Sequence, residues 1–147
     1  MRQTLLIITL ILSFSCQTEN QMKAKQKDIV KNYVASYNNF DVDGMIRDCH
    51  QDVIFENTSN GVVDLRTEGL KAFKVQAKSA KLYFKERTQM ITSWMHKNTT
   101  ITIDIDYKAI LALDLPNGLK AGDSLELKGQ SEFEFLDGKI KKITDKS

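Results

Sequence analysis

Residues 33–57, YVASYNNFDVDGMIRDCHQDVIFEN, contain the transitions that decide the fold. Tyr33 and Tyr37 are four residues apart, which puts them on one face of a helix that the following Asn-Asn pair ends. Asp41 is a good N-cap for a short second helix with Met45, Ile46 and Cys49 on its inner face. Residues 53–57 then have the composition of a strand. This stretch therefore predicts two consecutive helices and a first strand.

The residues that follow predict a turn, a short strand and a third helix. Asn60 and Gly61 are a strong hairpin signal, so residues 61–65 are expected to return as a second strand. Thr67 is a suitable cap for a third helix. The buried stripe of that helix is predicted to comprise Leu70, Phe73, Ala77 and Ala80.

The C-terminal half is predicted to be sheet. Apolar and polar residues alternate through residues 99–113 and 124–135, which is the two-residue period of a half-buried strand. Helices in the first half and antiparallel strands in the second indicate an α+β fold, with three helices on one side of a curved sheet. The alternation predicts Ile103, Ile105, Leu125 and Leu127 to be largely buried, and Glu126 and Glu132 to lie on the opposite face.

The N-terminus has the layout of a bacterial secretory signal. Met1 and Arg2 give a positive start, residues 5–12 are apolar except for one threonine, and small residues lead to Cys16. A cysteine at this point resembles a lipoprotein signal, in which Cys16 would become the lipidated first residue. An ordinary cleaved signal followed by a chance cysteine is the alternative. A stretch of eight residues falls far short of the ~20 apolar residues that span a bilayer.

This signal sets the expected organisation and location of the chain. Residues 1–15 are predicted to be the signal peptide, 16–27 a polar tether and 28–147 one folded domain. We expect a lipid-anchored protein of the cell envelope, in the periplasm or at the outer membrane. The formal charge is +2 and falls to about +1 without Arg2, which gives no basic footprint for nucleic acid. After Cys16 only Cys49 remains, so no intramolecular disulfide is expected.

Three segments, taken in order, resemble the nuclear-transport-factor-2-like (NTF2-like) superfamily. They are residues 33–57, the RTEGLKAF segment at 66–73 and the FEFLDGKIKKITD ending at 133–145. The likeness is strongest to the SnoaL-like and ketosteroid-isomerase-like branches. It implies a cone-shaped domain with an apolar pocket between the sheet and the helices. Because such relatives pair through the sheet, it also implies a homodimer.

In the ketosteroid-isomerase branch, a carboxylate moves the proton while a tyrosine and a protonated acid stabilise the oxyanion. By this resemblance Tyr33 falls on the tyrosine, Asn57 on the base and Ser131 on the acid. Alternation independently puts Asn57 on the same strand face as Phe55. The predicted pocket residues are Tyr33, Asn57, Ser131, Phe55, Phe133 and Trp94.

Both carboxyl groups of that branch are therefore missing, and an amide cannot accept and return a proton near neutral pH. The leading expectation is a non-catalytic module that binds a small apolar molecule or a protein partner. The alternative is an isomerase, cyclase or dehydratase with Tyr33 as electrophilic donor and an acid such as Asp145 or Asp104. A purely associative domain is a third possibility. No metal-ligand spacing or cofactor motif is found, so neither a metal nor a cofactor is predicted.

Overall fold

A computed structural model describes the backbone of residues 2–147 and the side chains from residue 19 onward. It has the predicted α+β order of elements. The helices are α1 (Arg2–Asn38), α2 (Val42–Ile46) and α3 (Leu70–Ala80), with a single 3-10 turn at Lys81–Tyr83. The strands are β1 (Cys49–Ser59), β2 (Val62–Glu68), β3 (Phe84–Lys97), β4 (Thr100–Leu111), β5 (Ser124–Leu136) and β6 (Lys139–Lys146).

The six strands form one sheet in the order β2-β1-β6-β5-β4-β3. All neighbours are antiparallel except β1 and β6, because the last strand returns beside the first and runs in the same direction. The inner face of the sheet is the one that α1 and α3 cover. Its core, together with the helix residues packed on it, includes Val30, Val53, Phe73, Ile103, Phe133 and Ile143, each at most 2% exposed.

The ends of the first two helices follow the sequence signals. Helix α1 ends at Asn38, as predicted. The Asp41 carboxylate accepts a hydrogen bond of 2.9 Å from the backbone N–H of Gly44, so the predicted cap of α2 is confirmed. Cys49 is buried, but it is the first residue of β1 rather than part of α2.

The predicted start of the third helix is wrong. Thr67 lies in β2 opposite Phe55, and Gly69 stands before the first residue of α3. The β1–β2 ladder extends to Glu68, so the backbone of Thr67 is still held in the sheet. The turn into the helix then needs a positive φ of 85°, which glycine adopts without strain.

The alternation along β4 and β5 gives the correct register, but two residues are less buried than predicted. Ile103 and Ile105 are buried, and Glu126 and Glu132 lie on the opposite, outer face. Leu127, however, is 50% exposed, and Leu125 is only partly buried. The pairing of β5 with β6 begins at Gln130, so residues 124–129 pair only with β4 and have no neighbouring strand on their other side.

The part of the predicted tether whose side chains are described is helical and contacts the domain. Gln26 is buried, and the Lys27 ammonium lies 4.7 Å from the centroid of the Trp94 ring. Cys16 and the predicted signal peptide lie outside the residues whose side chains are described. Among the described residues, no helix has the length and apolar character needed to cross a bilayer.

Candidate functional site

A cavity of about 290 Å³ lies between the helices and the inner face of the sheet. This volume is near the lower end of the range for small-molecule sites, so the cavity suits a compact ligand. Aromatic and aliphatic side chains form most of its wall. The polar residues that border it are Tyr33, Tyr37, Asn57, Gln76, Arg87 and Asp145.

The register of the sheet brings three polar residues from distant parts of the chain side by side. Asn57 on β1 pairs with Asp145 on β6, and Asp145 pairs with Ser131 on β5. The same row continues outward to Leu65 on one side and through Ile103 to Trp94 on the other. A polar group is thus built into the middle of an otherwise apolar inner face.

Asp145 is the acid of this group. Its Oδ1 atom accepts a hydrogen bond of 2.6 Å from the Ser131 hydroxyl. The residue is partly exposed where it borders the cavity, but the surrounding protein still withdraws the carboxyl from bulk water. Burial raises the pKa of Asp145 to about 6, against the lowering effect of the Ser131 hydrogen bond. Near neutral pH this carboxyl can therefore both accept and return a proton.

Tyr33 offers a hydrogen-bond donor to the same cavity. Only 4% of the residue is exposed, and its ring meets that of Phe133 edge-on with centroids 5.2 Å apart. Burial, followed by the nearby charge of Asp145, raises the pKa of Tyr33 well above its usual range, so the hydroxyl stays protonated. Within the described residues the hydroxyl makes no hydrogen bond to a protein group.

Asn57 is fixed by an acid that lies outside the cavity. Its Nδ2 atom donates a 2.9 Å hydrogen bond to Oδ1 of Asp64, and the Ser59 hydroxyl donates one of 2.8 Å to Oδ2. These two hydrogen bonds hold the pKa of Asp64 below its usual value, and the bond from Ser59 has the larger effect. The amide of Asn57 is thus oriented by a stable carboxylate and has no proton-transfer role of its own.

Arg87 on β3 borders the cavity as a buried cation. Its guanidinium carbon lies 3.7 Å from the centroid of the Tyr37 ring, and its Nε donates a 2.9 Å hydrogen bond to the Tyr37 carbonyl. Asn38 fixes this contact, because its amide both accepts from the backbone N–H of Gln89 at 2.7 Å and donates to the Gln89 carbonyl at 3.0 Å. The end of α1 and the middle of β3 are therefore locked together around the guanidinium.

The predicted pocket residues take three different positions. Tyr33, Phe55 and Asn57 line the cavity, and the ring of Phe55 is stacked on Phe73 at 5.0 Å. Ser131 and Phe133 stand behind the wall, where they contact Asp145 and Tyr33. Trp94 does not line the cavity; it lies two strands beyond Ser131 in the same row and packs against the core near Lys27.

Of the two acids considered from the sequence, only Asp145 borders the cavity. Asp104 is exposed on the outer face, where Gln130 and Ser93 donate hydrogen bonds to it. The signal for Asp145 is its place two residues after Ile143, which puts it on the inner face of β6. Arg87 was not predicted, although it shares strand parity with Gln89 and both are buried.

The described side chains contain no cluster of three or more His, Cys, Asp or Glu residues that could hold a metal ion. Cys49 is enclosed in the core, and burial raises the pKa of its thiol to about 12. It therefore acts as a small apolar residue and not as a nucleophile.

Neither a protein-family model nor a curated protein matches the chain. Solved structures do resemble it. A proposed polyketide cyclase from Xanthomonas campestris pv. campestris aligns with a TM-score of 0.73 and 18% identity, over 86% of this chain and 92% of that one. A proposed SnoaL-like polyketide cyclase from Jannaschia sp. CCS1 aligns with a TM-score of 0.71 and 9% identity, over 83% and 84%.

A third structure, a protein with a ketosteroid-isomerase-like fold from Catenulispora acidiphila DSM 44928, was solved in complex with trimethylamine. It aligns with a TM-score of 0.66 and 12% identity, over 80% of this chain and 82% of that one. Together these likenesses show that the chain has the NTF2-like fold, as the sequence predicted.

Proposed function

We propose that the chain is a proton-transfer enzyme of the isomerase, cyclase or dehydratase kind, with Asp145 as the acid–base group and Tyr33 as the electrophilic donor. The observation that carries this proposal is the arrangement of the two side chains. Both border one cavity, and burial puts the pKa of Asp145 at about 6 while Tyr33 stays protonated. The polyketide cyclases proposed among the similar structures are consistent with this class of chemistry.

The steps follow from the two groups. A substrate carbonyl oxygen accepts a hydrogen bond from the Tyr33 hydroxyl, and the Asp145 carboxylate takes a proton from the carbon beside that carbonyl. The enolate that forms carries its charge on the oxygen facing Tyr33, where the bond strengthens. Asp145 then returns the proton to another atom of the substrate. The Ser131 hydroxyl holds the carboxylate in position throughout.

A second candidate is non-catalytic binding of a small apolar molecule or a partner. It is favoured by Asn57, which stands where the ketosteroid-isomerase branch has its base and is tied to Asp64. Under this alternative, Asp145 and Tyr33 recognise a polar group of the ligand and no bond changes. The mainly apolar wall of the cavity suits both functions.

The test is hydrogen–deuterium exchange of 2-tetralone, a compact enolisable ketone, followed by NMR in D₂O with the full-length chain. We expect exchange above the buffer rate, rising with pD as Asp145 ionises through about 6. Asp145→Asn should remove it, and Asp104→Asn, which changes the exposed acid of the outer face, should not. Saturable binding of the ketone without any enzyme-dependent exchange would refute proton transfer and favour the binding module.

We further propose that Cys16 anchors the protein to the cell envelope through a lipid, because of the signal layout that precedes it. Fractionation of a bacterial host should find the wild type with membranes and Cys16→Ser in the soluble fraction. Equal release of both would contradict the anchor.

Homodimerisation through the outer face of the sheet is proposed on fold analogy. That face carries both signs of charge, with Lys108 and Glu126 paired at 3.0 Å and Lys128 and Asp106 at 3.5 Å. Sedimentation that finds only monomer at high concentration would contradict it.

A further inference from the structure

Arg87 is a buried cation, and none of the acids whose side chains are described is ion-paired with it. Only 4% of the residue is exposed, and its guanidinium lies against the rings of Tyr37 and Phe40, with centroids 3.7 and 4.5 Å from its central carbon. Its Nε donates a hydrogen bond to the Tyr37 carbonyl. The Nη2 atom is buried and has no hydrogen-bond partner among the described residues.

This arrangement is costly for the protein alone. Charged groups are rarely taken out of water unless an opposite charge or several hydrogen bonds compensate them. Within the part of the chain whose side chains are described, no Asp or Glu forms an ion pair with Arg87. The two aromatic rings supply only a part of the compensation. The described side chains therefore leave the charge of Arg87 incompletely compensated.

A bound molecule can reach Arg87, because Arg87 borders the same cavity as Asp145 and Tyr33. The two charged residues lie on different strands of the sheet. Asp145 is on β6, which is separated by β5 and β4 from the strand that carries Arg87. The Asp145 carboxylate accepts a hydrogen bond from Ser131, and among the described contacts it forms no ion pair with the guanidinium.

We propose that Arg87 binds an oxyanion of the substrate, so that the substrate class is a small carboxylic acid on an apolar ring. A planar guanidinium that packs against two rings matches the two oxygens of a carboxylate. The stacked pair Phe55 and Phe73 gives the ring an aromatic wall. Binding of its carboxylate at Arg87 would hold the substrate in one orientation, with another part of the substrate ring facing Asp145. This inference rests on the proposed function for its catalytic meaning, but the binding it describes is measured separately.

The test compares two probes of nearly equal shape, 2-naphthoate and 2-naphthamide, by isothermal titration calorimetry with the full-length chain at pH 7.5. The wild type is expected to bind the carboxylate about 10- to 100-fold more tightly than the amide, the range of one charged hydrogen-bond pair. Equal affinity for the two probes would overturn the proposal, without need of any variant.

Variants test whether Arg87 is the residue that gives the preference for the carboxylate. Arg87→Gln should reduce the affinity for the carboxylate to that for the amide, and Arg87→Lys should keep part of the preference. Lys85→Gln, which removes an exposed cation from the same strand, should change neither affinity. A folded Arg87→Gln protein that still prefers the carboxylate would overturn the assignment. If that variant does not fold, the wild-type ratio and the Lys variant decide.

The same experiment separates this inference from the proposed function. Asp145→Asn should keep the preference for naphthoate and lose exchange of tetralone. A carboxylate preference that depends on Arg87, in a wild type without exchange, would sustain the anion site and refute the enzyme. Exchange that depends on Asp145, in a protein that binds the carboxylate and the amide equally, would sustain the enzyme and refute the anion site.

Discussion

The two faces of the sheet put the same chemical group into opposite environments. Asp145 and Asp104 both lie on long strands, and each accepts a hydrogen bond from a serine hydroxyl. On the inner face burial raises the pKa of Asp145 to about 6. On the outer face hydrogen bonds from Gln130 and then Ser93 lower the pKa of Asp104. The face of the sheet, and not the residue type or its serine partner, decides which carboxyl can work as an acid and a base.

The largest expected effect is a difference in catalytic rate between variants of Asp145 and Asp104. Asp145→Asn should lower the rate of substrate exchange by about 10²- to 10⁴-fold, because general acid–base transfer supplies that factor. Asp104→Asn should leave the rate unchanged. Both rates are measured by NMR on the same ketone, and a similar loss in the two variants would show that the faces are not distinct in function.

Truncation of core and edge side chains tests the two faces through stability. Phe133→Ala should lower the free energy of unfolding by about 3–5 kcal/mol, because the side chain is fully enclosed and leaves a cavity. Leu127→Ala, at the exposed edge of the same strand, should cost less than about 1 kcal/mol. Urea denaturation measures both, and equal losses would mean that the edge of β5 is covered.

Asp145 should also give stability an unusual pH dependence. Its folded pKa is above its unfolded value of 3.8, so the folded state binds the proton more tightly. The resulting stabilisation is complete below about pH 4 and is lost as pH rises through 6, about 2–3 kcal/mol in all. Measured against Asp145→Asn, the wild type should therefore weaken over this window. A wild type that gains stability relative to the variant from pH 4 to 7 would contradict the sign.

A smaller effect is expected at Asn57. Asn57→Asp removes the hydrogen bond to Asp64 and puts two carboxylates at that distance, which should lower stability near neutral pH. The variant should gain at most a trace of ketosteroid-type isomerisation, because Ser131 stands where that branch has its acidic donor. Asn57→Ala is the matched control, since it loses the bond without adding charge. A strong gain of isomerase activity would show that an acidic donor at the position of Ser131 is not needed.

Much of the fold followed from local patterns. The alternation of β4 and β5, the Asp41 cap and the end of α1 are decided by neighbouring residues, and each was predicted correctly. The start of α3 was not, because pairing with β1 holds Thr67 in a strand. The exposure of Leu127 likewise depends on where β6 ends, which the sequence of β5 does not contain.

The site was only partly predictable for the same reason. Tyr33 and Asn57 were found through the resemblance, and alternation supported Asn57. The pairing of Asp145 with Ser131 depends on the register between β5 and β6. To predict that Arg87 borders the cavity, one must know how the end of α1 packs against β3. The hydrogen bonds between Asn38 and Gln89 determine that packing. Long-range register, not composition, thus assembles the polar part of the cavity.

Titration of the aspartate carboxyl groups, followed by NMR of ¹³C-labelled protein, distinguishes the two faces of the sheet. Asp145→Asn and Asp104→Asn assign the signals. We expect Asp145 to titrate near pH 6 and Asp104 below its usual value of 3.8. A carboxyl of Asp145 that titrates at or below 4 would contradict it, because the inner face would then hold a permanently ionised acid.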